Sequence, residues 1–270
     1  MLTLPCKNSG KAQIRTYAYK MKVIVNPKYE NSRALRDFIN NVDRRFPSGK
    51  LVQQGSRNTL RSFEIEGQGM VVKHFGTPNA FNRVVYSLFR KPKGVRAYEY
   101  AFRVRNAGFD TPEPIAYMER RSFGLVSDAY FISSQCTYSR RFYEFGNADA
   151  KDIEDILRAF TRRTAQFHEA GMLHRDFSPG NILFDKVDGQ WKFAIVDINR
   201  MSFSKVSVVR GCRNFARLWG QPDLFRIIAD EYAKARNADA DECFRIIRSA
   251  RRKFWTRFAK RHKVKYRLEL

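Results

Sequence analysis

His174-Arg-Asp-Phe-Ser-Pro-Gly-Asn181 is the stretch on which the reading of this 270-residue chain turns. A helix is predicted before it, from Asp152 to Ala170, with Ile153, Ile156, Leu157, Phe160 and Phe167 on one face and Gly171 as its stop. After it come two short strands, Asn181–Phe184 and Trp191–Val196, joined by the turn Asp188-Gly189, and then Asp197. Helix, polar loop, strand, turn, strand and acid set Asp176, Asn181 and Asp197 on loops at strand ends, where three side chains can converge. A hydroxyl that attacks a γ-phosphate needs a carboxylate to orient it and take its proton, and Asp176 fits that role. A hard cation on the phosphate oxygens needs oxygen ligands, which Asn181 and Asp197 offer. Taken singly, each of these residues reads as part of a polar turn; together they point to phosphoryl transfer. For His174, a packed ring that holds the loop is the simpler reading than a base, because Asp176 is better placed for the chemistry.

Phosphoryl transfer also needs a cation on the nucleotide phosphates. Met70-Val-Val-Lys73 reads as a strand that presents Lys73. Between Lys73 and Asp110 the sequence has one carboxylate, Glu99, on a helix predicted from Val95 to Asn106. Glu99 is therefore the expected partner of Lys73; a solvated lysine on an edge strand is the alternative. Gly55, Ser56, Arg57 and Asn58 lie in the hairpin before this strand and could offer amides and a guanidinium to phosphate. They lack a G-x-G-x-x-G pattern, so a plain hairpin turn fits them equally well. Gln135 and Cys136 open an irregular polar stretch, Gln135–Asn147, that reads as a hinge, and they complete the expected nucleotide-binding set.

Outward from these motifs, the first half of the chain is rich in strands. Met21–Pro27, Lys50–Gln54, Leu60–Glu66, Met70–Phe75, Ile115–Arg121 and Phe123–Ser133 are predicted strands, and Asn31–Phe46 is a predicted helix. The last part, from about Asn214, reads as mostly helical. The expected fold is α+β and bilobal, with an antiparallel sheet in the N-terminal lobe and a mainly helical C-terminal lobe. The expected division is an unstructured extension over 1–20, with Met21 as an alternative start, a β-rich lobe over 21–134 and a helical lobe over 135–270.

Hydrophobic residues make up 43% and aromatic residues 14% of the chain, including 23 Phe. That excludes a disordered or collagen-like polypeptide. Lys and Arg total 51 against 27 Asp and Glu, a net charge of +24, so an anionic partner is expected. The basic residues concentrate in two places. Arg83, Arg90, Lys91, Lys93, Arg96, Arg103 and Arg105 surround the single Glu99. Arg245 to Arg267 carries eleven basic residues, with Ile246, Ile247, Phe254, Trp255 and Phe258 interleaved and no acid. A basic amphipathic helix of this kind reads as a membrane-surface binder, or as aromatics packed inward beneath solvated charge. Cys6, Cys136, Cys212 and Cys243 form no CxxC pair and are expected as free thiols. The N-terminus lacks a secretory pattern, and no apolar run approaches ~18 residues. A cytoplasmic protein, peripheral on the inner face of a membrane, is expected.

Met70-Val-Val-Lys73, the basic segment before the Glu99 helix, NAGFDTPEPIAY (Asn106–Tyr117), HRDFSPGNILF (His174–Phe184) and VDINR (Val196–Arg200) together resemble the Kdo/WaaP lipopolysaccharide kinase family. Its members are small bacterial relatives of protein kinases, and the resemblance covers about residues 50–205. The Thr-Pro-x-Pro segment, and Asp-x-Asn-Arg in place of Asp-Phe-Gly, separate it from ordinary protein kinases. The resemblance implies a bilobal kinase-like fold in a Gram-negative bacterium and ATP- and Mg²⁺-dependent phosphorylation of a sugar hydroxyl, Kdo or heptose, in the lipopolysaccharide inner core. It implies Lys73 on the ATP phosphates, Glu99 pairing it, Asp176 as base, and Asn181 and Asp197 on Mg²⁺. The acceptor would be an anionic glycolipid. Asn199 stands where protein kinases have Gly, and neither an Ala-Pro-Glu motif nor a long activation segment follows. Two rival readings are a small atypical protein kinase of the RIO or Bud32 kind, which Ser178 resembles, and a non-catalytic basic binding module on a kinase scaffold.

Overall fold

The computed structural model describes residues 20–55, 58–76, 91–123, 125–264 and 268–270. The extension expected to be unstructured lies, up to residue 19, outside the described residues, as do Ser56, Arg57, Arg83, Arg90, Lys265 and Arg267.

Six strands build one antiparallel sheet: β1 (Lys20–Val25), β2 (Lys50–Gln54), β3 (Asn58–Ile65), β4 (Gln68–Phe75), β5 (Pro114–Ser122) and β6 (Leu125–Ser134), in the order β1-β5-β6-β4-β3-β2. Strand alternation splits β4 between two environments. Met70 and Val72 are fully buried against Leu35, Phe38 and Ile39 of α1 (Arg33–Asn40), while Val71 and Lys73 face a cleft. The helix expected over Asn31–Phe46 is broken. Ser32 caps α1, its Oγ accepting from the Leu35 amide at 3.0 Å. At the other end the Asn41 side chain donates to the Asp37 carbonyl at 3.0 Å, and a separate turn, α2 (Val42–Arg45), follows. An Asn that bonds local backbone in this way competes with helix continuation.

α3 (Lys93–Asn106) lies between the sheet and the second lobe. Val95, Ala97 and Tyr98 pack with Phe75 and Tyr117, whereas Ala101 and Val104 pack with Phe109, Phe167, Met172 and Ile198. A Cβ on Gly94 would collide with the Tyr117 ring, so the first turn approaches the sheet at glycine distance.

The second lobe centres on α4 (Glu154–Glu169). Its buried face carries Phe160, whose ring meets Phe142, Phe177, Phe193 and Phe215. Around it stand α5 (Val208–Asn214), α6 (Pro222–Arg236) and α7 (Ala240–Ala259). Five short strands complete this lobe. β7 (Arg140–Arg141), β9 (Ile182–Val187) and β10 (Gln190–Ile195) form one small sheet, and β8 (Met172–His174) pairs with β11 (Met201–Phe203). The Asp188-Gly189 hairpin turns through positive φ at both residues, 49° and 74°, as an Asp-Gly pair favours.

α7 separates the two readings of the basic C-terminal segment. Trp255, Ile247 and Cys243 are buried and Phe254 and Phe258 half-buried, while Arg248, Arg252, Lys253, Arg257 and Lys260 are exposed. Arg251 breaks the aromatics-in, arginines-out pattern. Its guanidinium is 2% exposed, donates to the carbonyls of Leu218 and Gly220, and lies 3.4 Å from the Phe225 ring centroid. With carbonyls and no carboxylate for company, burial pushes its pKa down to about 9.

Candidate active site

The cleft between the lobes encloses about 680 Å³. Its walls include Gly55, Asn58, Lys73, Gln135, Cys136, Asn181 and Asp197, seven of the residues singled out from the sequence. Gly55 and Asn58 close the β2–β3 hairpin, the Gly55 amide donating to the Asn58 carbonyl at 2.9 Å. Gln135 follows β6 directly, and its amide donates to the Gly69 carbonyl at 2.9 Å, tying the inter-lobe connection to β4.

One buried imidazole organises the loop. His174 ends β8 and has no exposed surface. Its Nδ1 accepts from the Asp176 amide at 3.1 Å, so the proton sits on Nε2, which donates to the Asp197 carbonyl at 3.1 Å. Burial holds the ring's pKa below its ordinary value, which keeps it neutral. Asn214 donates to the His174 carbonyl at 2.9 Å from α5. His174 therefore bridges the two loops that carry the acids, with both ring nitrogens engaged by backbone. Phe177 anchors the same loop from below, stacked on Phe160 with 5.8 Å between centroids.

From that frame the polar groups follow. Asp197 takes left-handed backbone geometry, φ 56°, as the chain leaves β10. Its Oδ1 receives both Lys73 Nζ and Asn199 Nδ2. Asn199 is buried, and its amide steadies the acid beside it. Asn181 donates Nδ2 to the Asp176 carbonyl at 2.8 Å, which leaves its Oδ1 for the cleft. Asp176 is not among the residues that line the cleft, so of the three side chains expected to converge only Asn181 and Asp197 share its wall. The two Asp176 oxygens accept from Arg200 Nη1, at 2.9 Å, and from Arg217 Nη1.

The expected Lys73–Glu99 pair does not form. Glu99 binds Lys91 at 2.7 Å on the outer face of α3, and the acid at Lys73 is Asp197. Helix phase is the reason. Ala97 faces the cleft, and Glu99, two residues on, lies roughly 200° around the helix from it. The basic segment around Glu99 is also partly consumed inside the molecule. Arg96 is buried, Arg103 stacks on Phe203 at 3.7 Å, and Arg105 donates to the Thr111 carbonyl. From sequence, Asn199 and Arg200 are named without a role, and Arg217 and Asn214 are not named as site residues. Only Asn199 and Arg200, inside the Asp-x-Asn-Arg run, carried a signal that could have found them.

The donor chemistry fits Mg²⁺. Asn181 Oδ1 and the Asp197 carboxylate are hard oxygen ligands on one cleft wall. Among the described residues no cluster of three or more His, Cys, Asp or Glu could cage a metal. A cation here would complete its shell with phosphate oxygens and water, as Mg²⁺ does in nucleotide sites.

An antiparallel sheet over a mainly helical lobe, with the lysine of β4 facing the Asp197 loop across the cleft, defines the protein-kinase-like class. A structure of WaaP in complex with acyl carrier protein matches with a TM-score of 0.59 at 15% identity, covering 90% of this chain and 100% of that one. A Rio2 kinase–ADP/Mg²⁺–phosphoaspartate complex from Chaetomium thermophilum lies further off, with a TM-score of 0.44 at 14% identity over 84% of this chain and 76% of that one. The model of the lipopolysaccharide kinase (Kdo/WaaP) family matches residues 53–220, and the chain belongs to that family. A 3-deoxy-D-manno-octulosonic acid kinase of Vibrio parahaemolyticus serotype O3:K6 (strain RIMD 2210633) is 23% identical over 150 residues. That match spans 53% of this chain and 60% of the relative's length.

Proposed function

We propose that the protein transfers the γ-phosphate of ATP to a hydroxyl of a 3-deoxy-D-manno-octulosonic acid (Kdo) residue in the lipopolysaccharide inner core. The observation that carries this reading is the arrangement around His174, one neutral imidazole that fixes both Asp176 and the Asp197 loop. The family and its Kdo-kinase relative support the acceptor. The nucleotide lies in the cleft, with its phosphates toward Lys73. Asn181 and Asp197 would hold Mg²⁺, which would supply charge neutralisation on the phosphate oxygens. Asp176 orients the acceptor hydroxyl and takes its proton as the oxygen bonds to the γ-phosphorus; the bond to the β-phosphate oxygen breaks and ADP leaves. Lys73 meets the negative charge on the nucleotide, and Asn199 keeps Asp197 aimed.

The division of labour follows the chain: a lobe over 21–134 that supplies Lys73 and the hairpin over the nucleotide, and a lobe over 135–270 that supplies the acids. No helix among the described residues is long and apolar enough to cross a membrane. The exposed basic face of α7, with Arg252, Lys253, Arg257 and Lys260 lining a shallow groove, suits anionic headgroups at the cytoplasmic face of the inner membrane. Co-sedimentation with anionic but not neutral vesicles tests that contact.

The activity test is incubation of the purified protein with Mg²⁺-ATP and a Kdo-bearing lipid A precursor, followed by mass spectrometry. One added phosphate on the Kdo residue is expected. Phosphate found on heptose would move the acceptor, and phosphate found on protein instead of glycolipid would overturn the reading.

A further inference from the structure

Asp176 is held by more charge than it can balance. One carboxylate faces two guanidinium groups, Arg200 on Oδ2 and Arg217 on Oδ1, so the cluster carries one positive charge in excess. The two arginines arrive from different places. Arg200 closes the turn after Asp197, and its carbonyl accepts from the Arg175 amide at 3.1 Å. Arg217 closes the turn after α5 and lies 5.1 Å from the Phe254 ring of α7. Both remain open to solvent, with side chains 54% and 33% exposed. Each gives one nitrogen to Asp176, and among the described residues its other donors meet no acceptor. A guanidinium presents five N–H groups in a planar fork suited to a carboxylate. Neither arginine lines the nucleotide cleft. The excess charge and the idle donors therefore lie beside Asp176, outside the cleft and open to solvent.

We infer that Arg200 and Arg217 form the binding site for the carboxylate of the acceptor sugar. This rests on the reading of the site as a Kdo kinase and specifies how the acceptor is chosen. The acceptor carboxylate takes the idle N–H groups of the two arginines and supplies the missing negative charge. Its sugar ring then sets a hydroxyl against Asp176, which the same arginines hold in place. A neutral sugar would leave the pair unbalanced, so the site selects acidic sugars.

The experiment uses the full chain, Mg²⁺-ATP and two acceptors: a Kdo-bearing lipid A precursor and the same molecule with its Kdo carboxylate converted to the methyl ester. For the wild-type protein, kcat/KM on the ester is expected to fall roughly 10- to 100-fold, the scale of a lost charged hydrogen-bond pair. Arg200→Gln and Arg217→Gln are expected to fall by a similar factor on the acid, mainly through the KM for acceptor, with the KM for ATP unchanged. On the ester the same variants should lose a clearly smaller factor than on the acid, because the carboxylate contact is already gone and only the hold on Asp176 is left to lose. Arg217→Lys should recover part of the loss on the acid and none on the ester. Equal turnover of ester and acid by the wild-type protein would overturn the inference, as would variants that lose the same factor on both acceptors. No turnover of the unmodified acceptor by the wild-type protein would instead overturn the reading of the site, and the inference with it.

Discussion

The loop from His174 to Asn181 and helix α3 were each expected to hold a carboxylate for the chemistry, Asp176 as base and Glu99 beside Lys73. The loop holds Asp176 between Arg200 and Arg217, whereas the helix turns Glu99 away from Lys73. In the loop, Asp176 and Asn181 are set by bonds to partners two and five residues away: His174 Nδ1 takes the Asp176 amide, and the Asp176 carbonyl takes Asn181 Nδ2. In α3 the direction of Glu99 is set by how the helix is rolled against two neighbours, the sheet and the second lobe. Ala97 and Ala101 win the buried face, and Glu99 is turned outward to Lys91. A short loop with a buried hub writes its geometry into local sequence, whereas a helix writes only a periodicity, and its phase is a tertiary decision.

The largest effect is expected at the Asp197 loop. Asp197→Asn removes the charge that Lys73 faces, and phosphate transfer should fall on the order of 10³-fold with the melting temperature nearly unchanged. A variant that retains wild-type turnover would separate Asp197 from the chemistry. Next is the floor under the loop. Phe160→Ala removes the ring on which Phe177 stacks and should cost about 3–5 kcal/mol of stability in denaturant titration. A loss below ~1 kcal/mol would mean that the loop does not depend on that aromatic cluster.

The third effect depends on pH. His168, on α4, is buried beside Tyr232 at 2.9 Å and Asn214 at 3.1 Å, and burial pushes its pKa down to about 4. His174 is shifted in the same direction. A histidine whose folded pKa lies below its unfolded value near 6.5 takes up a proton on unfolding in between. The stability is therefore complete above pH ~6.5 and is lost as the pH falls toward 4, by about 1.4 kcal/mol per pH unit for His168 alone. Denaturant midpoints measured from pH 7 to pH 5 should decline, and a flat profile would contradict the neutral hub. The smallest effect is expected on the helix. Lys91→Met removes the solvent-exposed partner of Glu99 and should change stability by no more than ~0.5 kcal/mol. A larger cost would show that the outer face of α3 matters after all.

Much of the fold was legible because its signals were local. The strand alternation around Lys73, the Asp-Gly hairpin and the apolar face of α4 each needed only a few residues of context. The α+β arrangement with a cleft followed from their order and the protein-kinase-like fold from the family resemblance, and the shared structure with WaaP bears it out. The break after Asn40 was not legible, since it turns on one asparagine choosing a backbone carbonyl over helix continuation. Nor were Arg217 and Asn214, which reach His174 and Asp176 from some forty residues downstream. Such long-range polar partners leave no periodic trace. The two-residue β7 and the three-residue β8 and β11 are too short to show any alternation.

In the proposed reaction Asp176 takes the acceptor proton and Glu99 has no part. Initial rates of phosphate transfer from labelled ATP to a Kdo-bearing acceptor, measured side by side for Asp176→Asn and Glu99→Gln, test it most directly. A loss of roughly 10²- to 10⁴-fold is expected for Asp176→Asn, and a rate within about twofold of wild type for Glu99→Gln. A Glu99→Gln variant as damaged as Asp176→Asn, or an Asp176→Asn variant that still turns over freely, would contradict it.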